Sequence, residues 1–543
     1  MAMFRKNWNA NDSFFDYTRG RFVVDEAEQM KQRHVRFDMN ELARIAAQSV
    51  GARHCTNVEK CADGLYNKAF VFTMDDGKQV IGKIPNPNAG TPHFTTASEV
   101  ATLDFMRTVL QTPTPQVHAW NSRLDDSNTV GAEFIVMEKI EGIPLAQCWR
   151  SLQQIDKLKV LIKVFDYQRA WSSITFTKFG SLYFVNDVEN PPAKYLYIDK
   201  EGNGVQCPKF IVGRASNYEW FENGRNRINC DQGPWDTVLE YRKAIGRREA
   251  QATKTLTDFP RQMLALYGPA PLYQPLPEKK LAAIESYMKT LETFLPKDPV
   301  LLKGHLWHND FHDENIFVNP ENPTEITGII DWQSAHIAPL FDHVLDPLFL
   351  DYQGPDIGDN LDKPQLPDNF KSMQGEEKIA ARNLFLDKGL TVAWRRLVKK
   401  KNPSQYSGIM FRNSAIGVSL EVSRRIFEAG EANFRALLLD IRNDWQNQQS
   451  GASANLVPFP LDMSEGEVAE IEKDAEAVER GMEIMMNIRG RLGRLWPEKG
   501  VVEHDKYDQV KMILQDIKKE LIEVYAETAE DKAIFEKHWP FRD

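Results

Sequence analysis

The sequence predicts an α+β fold of two lobes, in which a β-rich N-terminal lobe precedes a large helical C-terminal lobe. The chain has 543 residues, which is more than one hydrophobic core ordinarily organises. Strand patterns separated by turn residues dominate before residue 142, and helical periodicity dominates after it. The predicted units are an N-terminal extension at 1–50, a β-rich lobe at 51–142, a helical lobe at 143–360, and a helical C-terminal extension at 361–543 packed on the helical lobe.

The β-rich lobe is predicted from turn chemistry and alternating apolar residues. Asp75-Asp76-Gly77 supplies a tight turn between two strand patterns, which predicts a hairpin. Asp38 precedes a helical pattern and is a suitable N-cap. The predicted elements are a helix at 38–50, strands at 68–74 and 79–84, a helix from 95 or 96 to about 110, and strands at 117–120 and 133–137.

Long helical patterns begin after Gly142-Ile143-Pro144, which interrupts the periodicity and marks the boundary between the lobes. Helices are predicted at 152–173, from 278 onwards, at 466–492 and at 507–526. Charged and apolar residues alternate from about 371 to the end, which implies several further helices. Residues 186–275 are rich in turns and aromatic side chains, and their periodicity predicts no element.

Composition and charge exclude several classes of protein. Asp and Glu number 77 against 67 Lys and Arg, and this acidic balance argues against a broad nucleic-acid-binding face. Five cysteines without paired CxxC spacing predict neither a disulfide framework nor a structural zinc site, and they fit a reducing compartment. No stretch approaches the roughly 18 to 20 apolar residues of a membrane span, so an intracellular protein without a span is expected.

One stretch, 304–318, carries the order of residues found in kinase catalytic loops. His308 is followed by Asp310, and Asn315 comes five residues after that aspartate. In such loops the Asp accepts the proton of the acceptor hydroxyl, and the Asn helps to hold metal. These groups must lie close together, because the charge that develops on the phosphoryl group has to meet positioned metal while the nucleophile is aligned. Asp310 is therefore the predicted catalytic base.

Asp331 completes the predicted metal site. Strand patterns at 316–318 and 326–330 flank the turn-rich segment 319–323, which predicts a hairpin. This hairpin would place Asp331 at a strand end beside Asn315, and both side chains are predicted magnesium ligands. A single Asp or Asn near a turn is more often a cap or turn former, and it is the ordered spacing of the three residues that favours the catalytic interpretation.

The histidines of the same stretch allow an alternative, a zinc-dependent hydrolase. His305, His308, Asp310 and His312 are residue types that bind zinc. No further closely spaced His or Cys set accompanies them, and the kinase interpretation also accounts for the two predicted magnesium ligands. His308 and His312 are instead expected to brace the catalytic loop.

The β-rich lobe supplies the other half of the predicted site. Lys83 lies in the strand pattern 80–84, where a lysine can neutralise nucleotide phosphates, although a strand lysine is usually on a solvated face. Glu99, on the following helix, is a candidate ion-pair partner for Lys83. Thr96 and Glu99 also have the spacing of a capping box, and spacing alone leaves both interpretations open.

Three further residues are predicted to contact the nucleotide. Gly64 and Asn67 bound a turn that can cover the phosphates, although one glycine is a weak signal compared with a full glycine-rich loop. Met137 lies near the end of the strand pattern 134–139, which leads into a predicted hinge whose backbone can pair with adenine. The plainer interpretations are an ordinary turn and a buried strand end.

Together these residues resemble the aminoglycoside phosphotransferase family, within the protein-kinase-like superfamily, over about residues 55–350. The resemblance rests on Lys83, Glu99, the loop HNDFH at 308–312, Asn315 and IDWQ at 330–333. A narrower similarity, to the fungal altered-inheritance-of-mitochondria branch, covers most of the chain. It rests on FFDYTRGR at 14–21, TASEVAT at 96–102, GSLY at 180–183 and IIDWQS at 329–334.

The broad resemblance implies a bilobal protein-kinase-like fold that uses ATP and Mg2+. It implies that Asp310 is the catalytic base, that Asn315 and Asp331 are metal ligands, and that Lys83 contacts the phosphates. It does not imply an aminoglycoside acceptor. The family often has Pro-Gly where this chain has Asp313-Glu314, and these two added carboxylates near the predicted metals can alter acceptor choice or turnover.

The narrower resemblance implies location in the mitochondrion, with the cytoplasm as the alternative. A mitochondrial presequence is basic and poor in acidic residues. In this chain Arg5, Lys6 and Arg19 are set against Asp12 and Asp16, so the N-terminal signal is weak.

The acceptor is expected to be a small molecule. Asn309 follows His308 at a position where many protein kinases have an arginine that pairs with a phosphorylated activation loop, and no Ala-Pro-Glu segment is present.

The leading hypothesis is an ATP- and magnesium-dependent phosphotransferase acting on a small-molecule hydroxyl. The alternative is a catalytically idle kinase-fold protein that binds nucleotide or partners in mitochondrial maintenance, and the three retained catalytic groups favour the enzyme. The sequence predicts neither the acceptor nor any protein partner.

Overall fold

The structure is a computed structural model that describes residues 6–189, 193–256, 258–449 and 458–541. Its N-terminal part consists of nine helices and strands within these ranges. They are β1 (Arg21–Phe22), α1 (Glu26–Arg33), α2 (Met39–Ser49), β2 (Cys55–Lys60), β3 (Asn67–Met74), β4 (Gln79–Pro85), α3 (Phe94–Thr108), β5 (Val117–Asn121) and β6 (Phe134–Glu138).

A five-stranded antiparallel sheet, in the order β2-β3-β4-β6-β5, forms the N-terminal lobe. Alternate residues of β3 are buried, which is the pattern of a strand with one face on a core. The predicted hairpin at 68–84 is present as β3 and β4. Asp38 caps α2 by accepting a hydrogen bond from the backbone N–H of Glu41, as its sequence position predicts.

Residues of the N-terminal extension complete the core of this lobe. Aromatic side chains from the first 40 residues pack in one cluster with Phe70 and Phe72 of β3. The cluster members from the extension include Trp8, Phe14, Phe15 and Phe37. The extension therefore contributes apolar surface that one face of the sheet needs in order to be buried.

The second lobe is mostly helical and contains short strands. Its elements are β7 (Ile143–Pro144), α4 (Gln154–Trp171), β8 (Thr175–Phe176), β9 (Ser181–Phe184), β10 (Tyr197–Ile198), β11 (Gly204–Val205), β12 (Phe210–Gly213), α5 (Val238–Thr255), α6 (Pro277–Phe294), β13 (Gly304–Trp307), β14 (Ile316–Val318), β15 (Ile326–Ile329) and β16 (His336–Pro339). The strands form three sheets, in the orders β11-β10-β8-β13-β16, β15-β14-β7 and β12-β9. The predicted α+β organisation is confirmed.

The helix α5 lies in the part of the chain for which the sequence predicted no element. Its buried face includes Arg242, Arg248 and Glu249, each with no exposed surface. In a sequence these residue types indicate a solvated face. These charged residues interrupt the apolar stripe by which a buried helix is recognised in a sequence, so the pattern did not predict α5.

Helices continue to the end of the described chain. They are α7 (Gly375–Lys401), α8 (Pro403–Asn413), α9 (Ala415–Val422), α10 (Glu431–Gln449), α11 (Glu465–Leu492), then β17 (Val501–Val502), α12 (Tyr507–Tyr525) and α13 (Ala529–His538). Leu390, Trp394 and Val398 of α7 share a core with Val164 and Phe165 of α4. In the described residues, no helix combines the length and apolarity needed to cross a membrane.

The two extensions of the chain meet in a small antiparallel sheet. In β1 and β17, Arg21 pairs with Val502 and Phe22 with Val501. The N–H of Val23 donates to the carbonyl of Gly500 at 3.0 Å, which continues the ladder. This contact holds the loop before β17 against the N-terminal segment.

Candidate active site

The loop after β13 is built around Asp310 and Asn315. The Nδ2 of Asn315 donates to the carbonyl of Asp310 at 3.0 Å and lies 3.1 Å from Nε2 of His312. Nε2 of His308 lies 2.8 Å from the carbonyl of Ile330, which ties the loop to the end of the following hairpin. The structure thus gives His308 and His312 the bracing contacts that the sequence predicts.

The Asp310 carboxylate faces solvent beside His312. Its side chain is 63% exposed, and its Oδ2 lies 3.5 Å from Nε2 of His312. A hydrogen bond from His312 lowers the pKa of Asp310, and Asp310 in turn raises the pKa of His312. Asp310 is therefore ionised near neutral pH, which is the state that a proton acceptor requires.

Asp331 is brought to the same place by the β14–β15 hairpin. The N–H of Ile330 donates to the carbonyl of Asn315 at 2.9 Å, so the residue that precedes Asp331 is bonded to Asn315. Asp331 has a left-handed φ of 58°, a conformation that few residues other than glycine adopt. Such backbone strain concentrates at functional sites.

Lys83 reaches both Glu99 and Asp331. Its Nζ lies 2.6 Å from Oε1 of Glu99 and 2.9 Å from Oδ1 of Asp331. Burial alone would lower the pKa of Lys83, but the two carboxylates outweigh it and the pKa is raised. The buried lysine is therefore a permanent cation between the two lobes, rather than a residue of a solvated face.

Of the two interpretations of Glu99, the structure shows the ion pair. The helix α3 begins at Phe94 with His93 at the N-cap position, and no side chain caps it. Thr96 lies inside the helix, and its hydroxyl donates to Glu133 at 2.5 Å. The capping-box spacing is thus coincidental.

Asn67, the last residue of the turn 64–67, lines the crevice at Lys83. Asn67 Nδ2 donates to Gln333 Oε1 at 2.6 Å, so the turn is bonded directly to the second lobe. The N–H of Gly64 donates to the carbonyl of Asn67 at 3.1 Å. A β carbon at position 64 would come no closer than 3.4 Å to any neighbour, so this conformation of the turn does not require glycine.

Tyr66 and Tyr218 stabilise this turn. The sequence predicted no role for either residue. The ring of Tyr66 stacks on Tyr218 with 4.7 Å between centroids, and the hydroxyl of Tyr66 lies 3.4 Å from Glu222. The crevice bounded by Asn67, Lys83 and Gln333 is too narrow to admit a water molecule. Tyr218 lies in the region without periodicity, so no sequence signal could have found it.

Met137 occupies the last but one position of β6, where the chain passes towards the second lobe. It pairs with Ile81 on one side and Val117 on the other, and its side chain packs against the core that the second lobe shares. Glu138 ends the strand. Met137 thus lies near the end of β6, and its place in a hinge stays a prediction.

The donor set of this cleft fits magnesium and phosphate. The side-chain nitrogen of Asn315 donates to the carbonyl of Asp310, and within the described residues no hydrogen bond is donated to its side-chain oxygen. Together with a carboxylate oxygen of Asp331, this gives the hard oxygen ligands that Mg2+ prefers. The buried hydroxyl of Thr95 and amide oxygen of Asn67 line the crevice beside Lys83 without partners in the described chain.

The zinc interpretation finds no geometric support. In the parts of the chain that the structure describes, no three His, Cys, Asp or Glu side chains are arranged to hold a metal ion. The ring of His305 is buried away from solvent, and burial lowers its pKa to about 4. A magnesium ion held by two side chains and by phosphate oxygens needs no such group of three.

The sequence profile of the Phosphotransferase enzyme family matches residues 57–344, more than half of the chain. The chain belongs to this family. The match includes most of the sheet of the N-terminal lobe, together with Lys83, Asp310, Asn315 and Asp331, so the predicted site residues lie within it. The resemblance and the bilobal kinase-like fold expected from the sequence are confirmed.

The similar proteins include two from fungi. The chain is 26% identical over 519 residues to a subtelomeric hrmA-associated cluster protein of Aspergillus fumigatus, covering 90% of this chain and 97% of that protein. It is 24% identical over 523 residues to altered inheritance of mitochondria protein 9, mitochondrial, of Komagataella phaffii, covering 84% of this chain and 82% of that protein.

Among solved structures, the chain is similar to a macrolide 2'-phosphotransferase of Brachybacterium faecium. It is 12% identical, the alignment covers 71% of this chain and 98% of that protein, and the TM-score is 0.28. At that TM-score the likeness says nothing further about this chain.

Proposed function

We propose that this protein is an ATP- and magnesium-dependent phosphotransferase that acts on a hydroxyl of a small molecule. The observation that carries the proposal is the meeting of Lys83, Asp331 and the Asp310 loop, which come from both lobes. Phosphoryl transfer depends on positioning and charge, and these residues provide a fixed cation, oxygen ligands and an ionised carboxylate in one cleft.

Each residue has a distinct role in this mechanism. Lys83 would hold the phosphates, and Asn315 and Asp331 would hold the metal. Magnesium-ATP, when bound, supplies the phosphoryl group and the charge that neutralises it as transfer proceeds. Asp310 accepts the proton of the acceptor hydroxyl, and His312 keeps that carboxylate ionised and oriented.

The contacts of Asn309 favour a small-molecule acceptor over a protein acceptor. Its Oδ1 lies 3.1 Å from Nδ1 of His343 and accepts the N–H of Val344 at 3.2 Å. The position that is an arginine in many protein kinases therefore serves to pack the catalytic loop in this chain. It presents no cation to a phosphorylated segment.

The second candidate is a catalytically idle nucleotide-binding or scaffold protein. It is favoured by the narrow crevice at Lys83, across which Asn67 is hydrogen-bonded to Gln333. The enzyme requires the turn 64–67 to lift, breaking the Tyr66–Tyr218 stack and the Asn67–Gln333 hydrogen bond. An idle protein keeps these contacts.

We expect magnesium-ATP to raise the melting temperature, because a ligand that binds only the folded state stabilises it by mass action. Lys83→Met should reduce that shift, since it removes the cation but keeps the aliphatic chain. Differential scanning fluorimetry across an ATP series measures both effects. Lys78→Met, on the exposed turn of the same hairpin, is the matched control and should behave like the wild type. An undiminished shift in folded Lys83→Met protein would remove Lys83 from the site.

We also propose that the protein associates with mitochondria, as the printed name of the Komagataella phaffii relative says of that protein. A fusion tagged at the C-terminus should co-localise with a mitochondrial marker, and fractionation should find the untagged protein in the mitochondrial pellet. Cytosolic signal alone in both experiments would defeat this proposal.

A further inference from the structure

The guanidinium of Arg33 is buried and forms no ion pair with a carboxylate among the described residues. Arg33 is the last residue of α1 and is 6% exposed. Its Nη1 donates to the carbonyl and to the side-chain oxygen of Gln29, at 3.0 and 2.6 Å, and both acceptors are neutral. Its Nε is buried and has no partner in the described residues. Burial accordingly lowers the pKa of this guanidinium.

The other buried arginines of the described chain are all paired. Each of them forms an ion pair with an Asp or Glu, as the burial of a charge demands. They are Arg225, Arg242, Arg248 and Arg424. Arg33 is therefore an exception within its own protein. Polar groups that stay buried and unsatisfied in a native fold need a specific explanation, and a missing ligand is one.

Tyr17 presents a second unsatisfied group beside Arg33. Its hydroxyl is buried and has no hydrogen-bond partner in the described residues. The guanidinium of Arg33 lies over the rings of Phe22 and Tyr17, at 4.5 and 5.9 Å from their centroids. A phenol and a guanidinium together offer several N–H and O–H donors, which is the chemistry that recognises a phosphate or carboxylate group.

This pair lies next to the cleft. The backbone N–H and the hydroxyl of Thr18 both donate to Asp63 at 2.8 Å, and Asp63 immediately precedes the turn 64–67. Burial raises the pKa of Tyr66 to about 12, the carboxylate of Glu222 adds to the rise, and the charge of Arg33 opposes it. Arg33 is thus within electrostatic reach of Tyr66, a residue of that turn.

Lys499 approaches the cleft from the C-terminal extension. It has a left-handed φ of 51°, is exposed, and forms no ion pair in the described residues. The next two residues, Gly500 and Val501, bond or pair with Val23 and Phe22, so the backbone of Lys499 lies beside the strand that carries Phe22. After the hydrogen bond from His312, the charge of Lys499 is among the influences that lower the pKa of Asp310.

We propose that the acceptor is an anionic small molecule, a hydroxy compound bearing a phosphate or carboxylate, whose anionic group binds to Arg33 and Tyr17 with Lys499 on the solvent side. This inference rests on the proposed phosphotransferase function and names its substrate class. The anion supplies the partner that Arg33 lacks, and its hydroxyl is then presented to Asp310.

The test uses the full chain, with inorganic phosphate and malonate as probes in isothermal titration calorimetry. Phosphate is expected to bind the wild type, and Arg33→Met should weaken it about tenfold or more, as removal of hydrogen bonds to a charged group does. Lys499→Met should weaken it to a lesser degree. Arg36→Met is the matched control, because Arg36 is an exposed arginine of the same segment that already pairs with Asp12. Tighter binding of malonate than of phosphate would identify a carboxylate acceptor, and the reverse a phosphate ester.

Two further measurements keep the outcome clear. Phosphate affinity should survive in Lys83→Met, and loss of binding there alone would put the ion in the nucleotide site and overturn the inference. Ligand-free Arg33→Met should be at least as stable as the wild type, because it replaces an unpaired buried charge by an apolar side chain of similar length. Lower stability together with unchanged phosphate affinity would make Arg33 a structural residue and also overturn it.

Failure of the inference and failure of the proposed function give different results. If phosphate binds through Arg33 but no acceptor is phosphorylated, the anion site is supported and the phosphotransferase function is contradicted. If the wild type and Arg33→Met transfer phosphate equally well to neutral polyols, the phosphotransferase function is supported and the anion site is contradicted.

Discussion

Asp310→Asn is expected to abolish most phosphoryl transfer while leaving magnesium-ATP affinity unchanged. The Asp310 carboxylate is largely exposed, and within the described residues its one ion pair is with His312. Asparagine keeps the shape and loses the base. Transfer should fall by roughly 10²- to 10⁴-fold, which is the range for lost general-base catalysis. Label transfer from γ-labelled ATP into an acceptor, first identified in a panel of anionic and neutral hydroxy compounds, measures the loss.

Asp331→Asn should fail in a different way. Asp331 is bonded to Lys83 at 2.9 Å and is a predicted metal ligand, so its loss should weaken the magnesium-dependent part of nucleotide binding as well as transfer. Calorimetry with ATP, in the presence and absence of magnesium, separates the two mutants. Asp313→Asn removes a neighbouring carboxylate of the same loop and serves as the control for charge alone.

The results that contradict this division of labour are specific. Equal losses of nucleotide affinity in the two mutants would show that Asp310 also supports the metal. Full transfer by Asp310→Asn would remove it as the base. A wild-type protein that binds magnesium-ATP and transfers nothing across a broad acceptor panel would favour the idle, nucleotide-binding alternative.

Glu249→Ala is expected to destabilise the protein by about 3–5 kcal/mol, the range for removing one partner from a buried ion pair. Glu249 has no exposed surface and accepts hydrogen bonds from Arg225, Arg248 and the N–H of Phe427, all at 2.9 Å. Burial alone would raise the pKa of Glu249, but the two arginines lower it, so it is a carboxylate inside the protein. Its removal leaves two buried guanidinium groups short of negative charge.

Urea denaturation followed by circular dichroism measures this effect. The matched control is Glu285→Ala on α6, because Glu285 is 67% exposed and pairs with Lys289 one turn away. Exposed pairs of this kind contribute up to about 1 kcal/mol, so the control should unfold near the wild-type midpoint. Coincident midpoints for the two variants would show that the buried network does not stabilise the fold.

This network also connects the C-terminal extension to the catalytic cleft. Arg424 of the extension pairs with Glu219 at 2.8 Å, and the preceding residue, Tyr218, stacks on Tyr66 of the turn 64–67. The N–H of Tyr218 donates to the hydroxyl of Ser334 at 3.2 Å, three residues after Asp331. The extension therefore holds in place Tyr218, the residue on which the ring of Tyr66 stacks.

The sequence by itself determined the features that depend on neighbouring residues. The hairpins at 68–84 and 316–330 follow from turn residues between alternating strands, and the observed strands agree closely with those predicted. A candidate catalytic loop could be proposed because His308, Asp310 and Asn315 lie within eight residues and their order is chemically specific. Local spacing is directly visible in a sequence.

Only the tertiary structure decided how distant parts of the chain meet. Lys83 and Asp331 are 248 residues apart, and spacing could not choose between an ion pair and a cap for Glu99. Tyr218 and α5 gave no signal, because buried charges and aromatic turns have the composition of a surface. In the sequence Arg33 has the position of an ordinary arginine at the end of a helix. Only the folded structure shows that it is buried and that no carboxylate pairs with it among the described residues. Contacts of this kind depend on packing between elements, and packing is a property of the whole chain rather than of any window within it.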